Sequence, residues 1–293
     1  MGCRQRGFAP NQLHTLLMKI AYVCTNYNNS SFTLAAVDSL LKNGGHDIEV
    51  IVVDNASDPQ EVEKLRPLAQ HRPNVHVIEH PKNTGYFSGL NLGLDALRTH
   101  RPDIKWVIAG NNDLEFAAGF CDRLERIAPQ LQAHAVVSPD IVTLDGEHQN
   151  PHVIAGISPL REFFYDLYYA NYHLGRLIHK LAKMLPKISE RSDEQQWQVA
   201  RSIYQGHGSC YLLTPRFFSK FSSFWAPTFM MSEEFFLSKQ LKDAGEHVYY
   251  DPRIQVKHHW HGSLEKLPSR RRWEMAREAH REYRKHVGVF RRI

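Results

Sequence analysis

The chain has 293 residues, 42% of them hydrophobic, which is enough for one large α/β domain or for a domain with a substantial second lobe. Four widely separated cysteines without a C-x-x-C pair argue against a disulfide framework or a zinc ribbon and favour a reducing cytoplasm. No apolar run approaches the ~20 residues of a membrane span. The net charge of +5 is concentrated in residues 269–293, which hold eight Arg and one Lys against three Glu, so the near-neutral body is not a uniformly basic nucleic-acid binder.

The first 115 residues alternate between strand and helix patterns. Residues 1–17 have no clean signal-peptide core, and we expect them to be a disordered leader. Apolar strand patterns occupy 19–25, 48–55, 74–80 and 104–110, and helix patterns occupy 31–45, the segment after Asp58, and 88–100. Asp58, Pro59 and Glu61 predict a capping box at the second helix. This alternation predicts a parallel sheet with right-handed crossovers.

The second half of the chain is less regular. Strand patterns cover 135–141 and 209–214, residues 247–260 are extended, and helices are predicted over 160–188, over 232–245 with Ser232 as the N-cap, and at the Arg-rich end. The chain thus divides into a regular α/β half at 18–116, a less regular half at 117–263 and a basic C-terminal helix at 264–293.

Polar clusters follow three of the predicted parallel strands. They are TNYNN at 25–29, DNASD at 54–58 and NND at 111–113. Ligands in parallel α/β sheets bind beyond the carboxyl ends of the strands. The first of these turns holds no glycine, so the G-x-G-x-x-G phosphate-binding pattern is absent there, and the chain has no Walker A sequence. A phosphate bound at this edge therefore needs another counter-charge.

The NND segment has two interpretations. Asn111, Asn112 and Asp113 can be ordinary turn residues that follow a strand. Alternatively, Asp113 with the help of Asn111 presents hard oxygen ligands to a divalent cation that bridges a diphosphate. Such an ion would neutralise a leaving nucleoside diphosphate without a glycine loop. The residues alone leave both interpretations open.

Other candidate residues also have two interpretations. Asp54 caps a strand–helix turn or accepts the N3–H of uracil or thymine, and the second is favoured because Asp58 already provides the predicted cap. The Glu233–Glu234 pair complements a helix dipole or supplies a general base of raised pKa beside the apolar WAPTFMM.

Two further patterns are weaker. Gly85, Gly89 and Gly93 indicate close helix packing or a nucleotide near the backbone. A histidine of HHWH at 258–261 that completes an oxygen-liganded site would favour Mn²⁺ as well as Mg²⁺.

In their order, the segments at 19–263 resemble the family 2 glycosyltransferases, and most of all a bacterial rhamnosyltransferase-like branch that builds surface polysaccharides. The resemblance implies an α/β chain with the GT-A fold, a Rossmann-like, mostly parallel sheet merged with an acceptor-binding subdomain. By this resemblance, residues 18–116 are expected to be the nucleotide-sugar-binding half and residues 117–263 the acceptor-binding and catalytic half. The resemblance places the catalytic base at Glu234, with Glu233 beside it. It places a Mn²⁺ or Mg²⁺ ion at Asp113, Asn111 and His258. The nucleotide contacts that it implies are Thr25, Asn26, Tyr27, Asp54, Asn83, Gly85 and Asn112. Two residues depart from the family pattern, since Asn111 replaces the first Asp of D-x-D and Glu234 stands where Asp is usual.

The implied activity is an inverting transfer from a UDP- or dTDP-linked sugar to a hydroxyl of a saccharide or lipid-linked acceptor. A metal-dependent nucleotidyltransferase is the alternative enzyme, although TNYNNSS lacks the Gly- and Lys/Arg-rich loop of that class. A nucleic-acid-binding module is the alternative from another class, but we expect no nucleic-acid partner. We expect a cytoplasmic enzyme whose basic end and 160–188 segment either contact an anionic membrane surface or are solvated helix faces.

Overall fold

The computed structural model describes residues 18–184, 193–259 and 269–287. The predicted leader at 1–17 and the ends of two predicted helices lie outside the described residues. The strands are β1 (Lys19–Asn26), β2 (Asp47–Asn55), β3 (Val75–His80), β4 (Trp106–Asn111), β5 (Leu114–Glu115), β6 (Val136–Thr143), β7 (Arg201–Ile203), β8 (Cys210–Leu213) and β9 (Val248–His258). The helices are α1 (Ser30–Leu41), α2 (Pro59–His71), α3 (Tyr86–His100), α4 (Phe120–Leu131), α5 (Pro159–Ala170), α6 (Tyr172–Met184), α7 (Pro215–Lys220), α8 (Glu233–Asp243) and α9 (Ser269–Arg284).

These strands form one mixed sheet in the order β3-β2-β1-β4-β8-β6-β9-β5, with β7 paired to β9. Strands β1 to β4 are parallel, as the alternating pattern predicts, whereas β8 runs antiparallel to both β4 and β6. Asn26 pairs with Asp54 in the β1–β2 ladder, and Thr25 pairs with Asn111 in the β1–β4 ladder. The three polar clusters of the sequence therefore meet at one edge of the sheet.

The sheet is covered on both faces, which explains the nearly continuous apolar sequence of β2. Val50 and Val52 face one buried cluster, formed with α1, α2 and α4, whereas Ile51 and Val53 face the other, formed with α3, α7 and α8. A strand buried on both faces needs apolar side chains at odd and even positions alike.

Two helix predictions are wrong in detail. The segment predicted as one helix over 160–188 is divided at Asn171, whose backbone is extended and whose Oδ1 accepts the His173 N–H at 2.8 Å, so that α6 begins anew. The capping box of α2 does not form, because the Asp58 side chain makes no cap bond and the Glu61 carboxylate accepts the Ser30 N–H at 2.8 Å. Glu61 thus joins the start of α1 to α2.

The glycines of α3 are explained by close packing. A Cβ at Gly93 would lie 2.4 Å from Cγ1 of Val23, and one at Gly89 would lie 2.6 Å from Cγ2 of Thr25. Helix α3 therefore lies against β1 at a distance that only glycine permits at these two positions.

The basic helix α9 packs against the body rather than extending from it. Its Trp273 and Tyr283 side chains are buried, and Arg284 Nη1 lies 3.1 Å from a Glu162 carboxylate oxygen of α5. Within the described ranges no helix combines the length and the apolar character needed to cross a membrane.

Candidate active site

A cavity of about 330 Å³ opens where β1 and β4 end and α8 begins. It brings together many of the residues predicted from the sequence, namely Thr25, Tyr27, Asn83, Gly85, Asn111, Asn112, Asp113, Glu233 and Glu234. Asn26, Asp54 and His258 are not part of its lining; they are buried and bond to residues close to it.

The backbone at Asn111 is held from two sides. The hydroxyl of the fully buried Tyr22 donates to the Asn111 carbonyl, and the Asn111 N–H donates to the Ser209 carbonyl at 2.8 Å. Burial raises the pKa of Tyr22 well above its ordinary value, so this hydroxyl stays a protonated donor. Strands β1 and β8 thereby fix the start of the NND segment.

Asp113 and His258 form a buried pair beside this anchor. Nε2 of His258 lies 3.2 Å from Oδ1 of Asp113 and 3.1 Å from Nδ2 of Asn111, and both members of the pair are about 5–6% exposed. The short β5–β9 ladder, in which Leu114 pairs with His258, brings the imidazole here. The Gln149 Oε1 atom, 2.8 Å from Nδ1, orients the ring so that Nε2 points toward Asp113.

The donor set of this pair fits a divalent cation. Two adjacent ligands of an octahedral ion at about 2.1 Å lie about 3 Å apart, which is close to the separation of the Asp113 and His258 atoms. Carboxylate and imidazole together suit Mn²⁺ or Mg²⁺. In the described part of the chain, no group of three His, Cys, Asp or Glu side chains is arranged to hold a metal. The remaining ligands would therefore come from an amide, water or a bound diphosphate.

Asp54 has the structural role that the sequence analysis gave as the less favoured of two interpretations, since its carboxylate caps the turn after β2. Its carboxylate is 1% exposed; Oδ1 accepts from Nδ2 of Asn26 at 2.8 Å and Oδ2 accepts the Ser57 N–H at 3.0 Å. The Asn112 amide also lies within this polar network, 2.7 Å from the Thr33 hydroxyl. These side chains hold the turns after β1, β2 and β4 together, and the base-binding role of Asp54 stays a prediction.

The loop at Asn83–Gly85 is held by Asn55, a residue that the sequence analysis did not single out. Asn55 donates to the Gly85 carbonyl and accepts the Thr84 N–H, both at 2.9 Å. Gly85 has φ +90°, and a Cβ there would lie 1.8 Å from the Phe229 carbonyl oxygen. Glycine is thus required by the neighbouring backbone. The DNASD cluster contained the signal for Asn55.

The two glutamates at the start of α8 differ in their surroundings. Glu233 is 8% exposed and its Oε1 accepts the Met231 N–H at 2.9 Å, whereas Oε1 of Glu234 accepts the Gly208 N–H at 3.2 Å. Burial, and secondly the charge of Glu234, raise the pKa of Glu233 well above its usual range. The predicted capping by the Ser232 side chain is wrong, because Ser232 has φ +64° and makes no side-chain cap bond.

The opposite wall contains residues that sequence reasoning did not identify individually. His207, Gly208 and Ser209 line the cavity, and His207 Nδ1 lies 2.9 Å from the Ser209 hydroxyl oxygen. The Tyr86 hydroxyl donates to the Gly208 carbonyl at 2.8 Å, which ties this wall to the start of α3. The strand pattern at 209–214, which begins at Ser209, was the nearest signal in the sequence.

A model of the family described as "Glycosyl transferase family 2" matches residues 22–191. The chain belongs to this family. It is 25% identical over 181 residues, 60% of its length, to the succinoglycan biosynthesis protein ExoO of Rhizobium meliloti (strain 1021). The chain spans about half, 49%, of the length of that curated relative.

Solved glycosyltransferases share the fold. GalNAc-T7, solved with UDP, GalNAc and Mn²⁺, is similar over 94% of this chain and 53% of its own length. Its TM-score is 0.57 and its sequence identity is 14%. The mannosyltransferase PcManGT of Pyrobaculum calidifontis, solved with GDP-Man and Mn²⁺, is similar over 94% of this chain and 72% of its own length. Its TM-score is 0.52 and its sequence identity is 14%. S. aureus TarS 1–349 is similar over 83% of this chain and 60% of its own length, with a TM-score of 0.52 and 12% sequence identity. The predicted GT-A fold is confirmed.

Proposed function

We propose that the protein is an inverting glycosyltransferase that moves a sugar from a nucleoside-diphosphate donor to a hydroxyl of a saccharide or lipid-linked acceptor in polysaccharide assembly. One observation carries the proposal: a single cavity at the strand ends has Asp113 in its lining, with His258 against that carboxylate, and Glu234 beside the loop of Gly208. Family membership and the succinoglycan relative support the reaction class and the setting.

In this proposal Glu234 takes the proton from the acceptor hydroxyl as its oxygen attacks the anomeric carbon. The new C–O bond forms on the face opposite the departing diphosphate, which inverts the anomeric configuration. The Gly208 N–H holds one Glu234 oxygen and so orients the carboxylate. Asp113, His258 and Asn111 would hold Mn²⁺ or Mg²⁺, which supplies positive charge against the leaving diphosphate. Two of the structural neighbours were solved with Mn²⁺.

Replacement of Glu234 by Gln tests the base. The amide keeps the size and the Gly208 contact but accepts no proton, so transfer should fall by about 10²–10⁴-fold while UDP binds as before. Transfer is measured with radiolabelled donor, and UDP affinity by calorimetry with Mn²⁺. The exposed Glu63 of α2 gives the matched control, Glu63→Gln, which should keep full activity. Normal turnover by Glu234→Gln would remove the base assignment.

Replacement of Asp113 by Ala tests the cation. We expect UDP to bind at least tenfold more weakly than to the wild type in the presence of Mn²⁺, and equally weakly to both proteins in EDTA. The loss then belongs to the ion and not to a direct contact. Equal UDP affinity of both proteins in Mn²⁺ would contradict the cation role.

UDP or dTDP remains the proposed donor nucleotide, and the rhamnosyltransferase-like branch remains a prediction. Neighbours solved with UDP and with GDP-Man share this fold, so the fold alone favours no base. The nucleotidyltransferase alternative loses support because the family model covers the nucleotide-binding half. The nucleic-acid alternative stays open to test, since α9 packs on the body through Trp273 and Tyr283 but leaves Arg270 and Arg271 exposed.

The expected anionic membrane contact and the cytoplasmic localisation also remain predictions. Leu174, Leu177 and Leu181 of α6 are exposed by 37–53% and lie on one face at helical spacing. Arg176 and Lys180 flank this face. An exposed apolar face with flanking cations is typical of helices that lie on an anionic membrane surface.

A further inference from the structure

A second and larger space, of about 750 Å³, lies between α6 and α9. We name it the basic groove because Arg176, Lys180 and Arg272 line it together with the rings of Tyr172 and Trp273. Among the described residues that line it, none is Asp or Glu. The charged side chains that line the groove are therefore all positive, apart from any charge on its histidines.

The cations of the groove differ from their neighbours on the same elements. Arg284 is bonded to Glu162 and Asp166, and Arg270 Nε lies 3.2 Å from a Glu274 oxygen. For Arg176, Lys180 and Arg272, the structure of residues 18–184, 193–259 and 269–287 gives no carboxylate within ion-pair distance. Three like charges that face one groove repel each other, so the arrangement favours a bound anion.

The walls of the groove are held by specific contacts. Trp273 donates its indole N–H to the Tyr168 carbonyl at 3.2 Å, and its ring lies 5.5 Å from that of Tyr172 in an edge arrangement. A Cβ at Gly175 would lie 2.9 Å from the Trp273 indole nitrogen, so α6 and α9 approach here only because position 175 is glycine. The Arg176 guanidinium lies 6.0 Å from the centre of the Tyr172 ring.

The basic groove adjoins the catalytic cavity. Met231 lines both, and it lies two residues before Glu233 at the start of α8. Leu177, which lines the groove, and Leu181, one helical turn further along α6, are half exposed. A molecule in the groove can thus lie against apolar side chains of α6 as well as against Met231 of the catalytic cavity.

We propose that the basic groove binds the phosphate groups of the acceptor, so that the acceptor is a phosphorylated amphiphile and not a neutral saccharide. This inference rests on the proposed function. The cations hold the phosphate, the rings confine it, Leu177 and Leu181 contact the apolar chain, and the sugar hydroxyl extends past Met231 to Glu234.

The test compares Arg176→Gln/Arg272→Gln with Arg271→Gln, which removes a charge from an exposed arginine of α9 outside the groove. Farnesyl diphosphate, inorganic pyrophosphate and phosphatidylglycerol vesicles are titrated with saturating UDP and Mn²⁺ present to fill the donor cavity. We expect the double variant to bind farnesyl diphosphate at least tenfold more weakly, with Arg271→Gln unchanged and circular dichroism unaltered. In the wild type, inorganic pyrophosphate should bind more weakly than farnesyl diphosphate and should respond to the same double variant.

Three outcomes would overturn the inference. The double variant could bind farnesyl diphosphate as the wild type does. Inorganic pyrophosphate could bind the wild type as tightly as the lipid diphosphate, which would indicate free phosphate as the ligand. The double variant could lose binding only to the phosphatidylglycerol vesicles, which would indicate that the cations contact a membrane surface. UDP affinity is measured separately in every protein, and failure of the wild type to bind UDP would contradict the proposed function without reference to the groove.

Discussion

At the residue scale, two neighbouring glutamates lie in different surroundings. Glu233 and Glu234 are adjacent in sequence, yet only Glu233 is enclosed and bonded to the Met231 N–H, whereas Glu234 reaches Gly208. The sequence indicated that a carboxylate beside WAPTFMM would have a raised pKa. Burial, and secondly the charge of Glu234, raise the pKa of Glu233 in this way. Glu233 follows two residues, Met231 and Ser232, whose backbone is left-handed.

Glu233→Gln should change stability with a definite pH dependence. When folding raises the pKa of a carboxyl, that group does not change the free energy of unfolding below its unfolded pKa of about 4.3. As pH rises from there toward the folded pKa, the group lowers the free energy of unfolding more and more. The variant should therefore match the wild type at pH 4 and be more stable at pH 8, by on the order of a few kcal/mol. Gln keeps the acceptor for the Met231 N–H.

Calorimetric melting temperatures at the two pH values measure this difference. The exposed pair partner Glu63 gives the control, since Glu63→Gln should show no comparable rise between pH 4 and pH 8. A Glu233→Gln protein that is less stable than the wild type at pH 8 would contradict the effect of burial.

Residue chemistry also limited what the sequence could predict. Asp113 and Glu234 were candidates from the residues themselves, as carboxylates after a predicted strand and at the start of a predicted helix, whereas His258 was singled out only by the family resemblance. Tyr22 was not identifiable, since a tyrosine inside an apolar strand is ordinary until its hydroxyl is found at the Asn111 carbonyl. His207 was one of 18 histidines, and only its place in the cavity distinguishes it.

At the element scale, the strands and helices of the first half follow directly from hydrophobic period. The predicted strand at 48–55 is β2 at Asp47–Asn55, and the predicted helix at 88–100 is α3 at Tyr86–His100. The helix ends were predicted less well. The Glu61 carboxylate accepts the Ser30 N–H at the start of α1 instead of capping α2, and Asn171 separates α5 from α6. Local rules fail where a side chain bonds to another element.

The contact of α3 with β1 gives a test at this scale. Gly93→Ala should lower the free energy of unfolding by about 1–3 kcal/mol, because the new methyl group would overlap Val23 in a closely packed interface. Gly44→Ala is the matched control, since a Cβ there meets nothing within 4 Å. Urea unfolding followed by fluorescence measures both. Equal stability of Gly93→Ala and the wild type would show that α3 can shift away from β1 at no cost.

At the scale of the whole molecule, the sequence indicated the parallel part of the sheet but not how β8, β6 and β9 continue it beyond β4. Strand alternation predicted β1 to β4 and the edge where their polar turns meet. The antiparallel position of β8 between β4 and β6 depends on pairings between distant segments, which no local pattern encodes. For the same reason the sequence predicted His258 only through a family resemblance and could not supply its contact with Asp113.

The Asp113–His258 contact also has a consequence for how the protein is made. The two residues are separated by most of the second half of the chain, and the entropic cost of closing a loop rises with its length. The ladder between β5 and β9 can form only after β9 has been synthesised. A nascent chain that has folded β1 to β4 would thus contain the polar turns without the imidazole. If the proposed cation site requires His258, synthesis itself delays activity until β9 is in place.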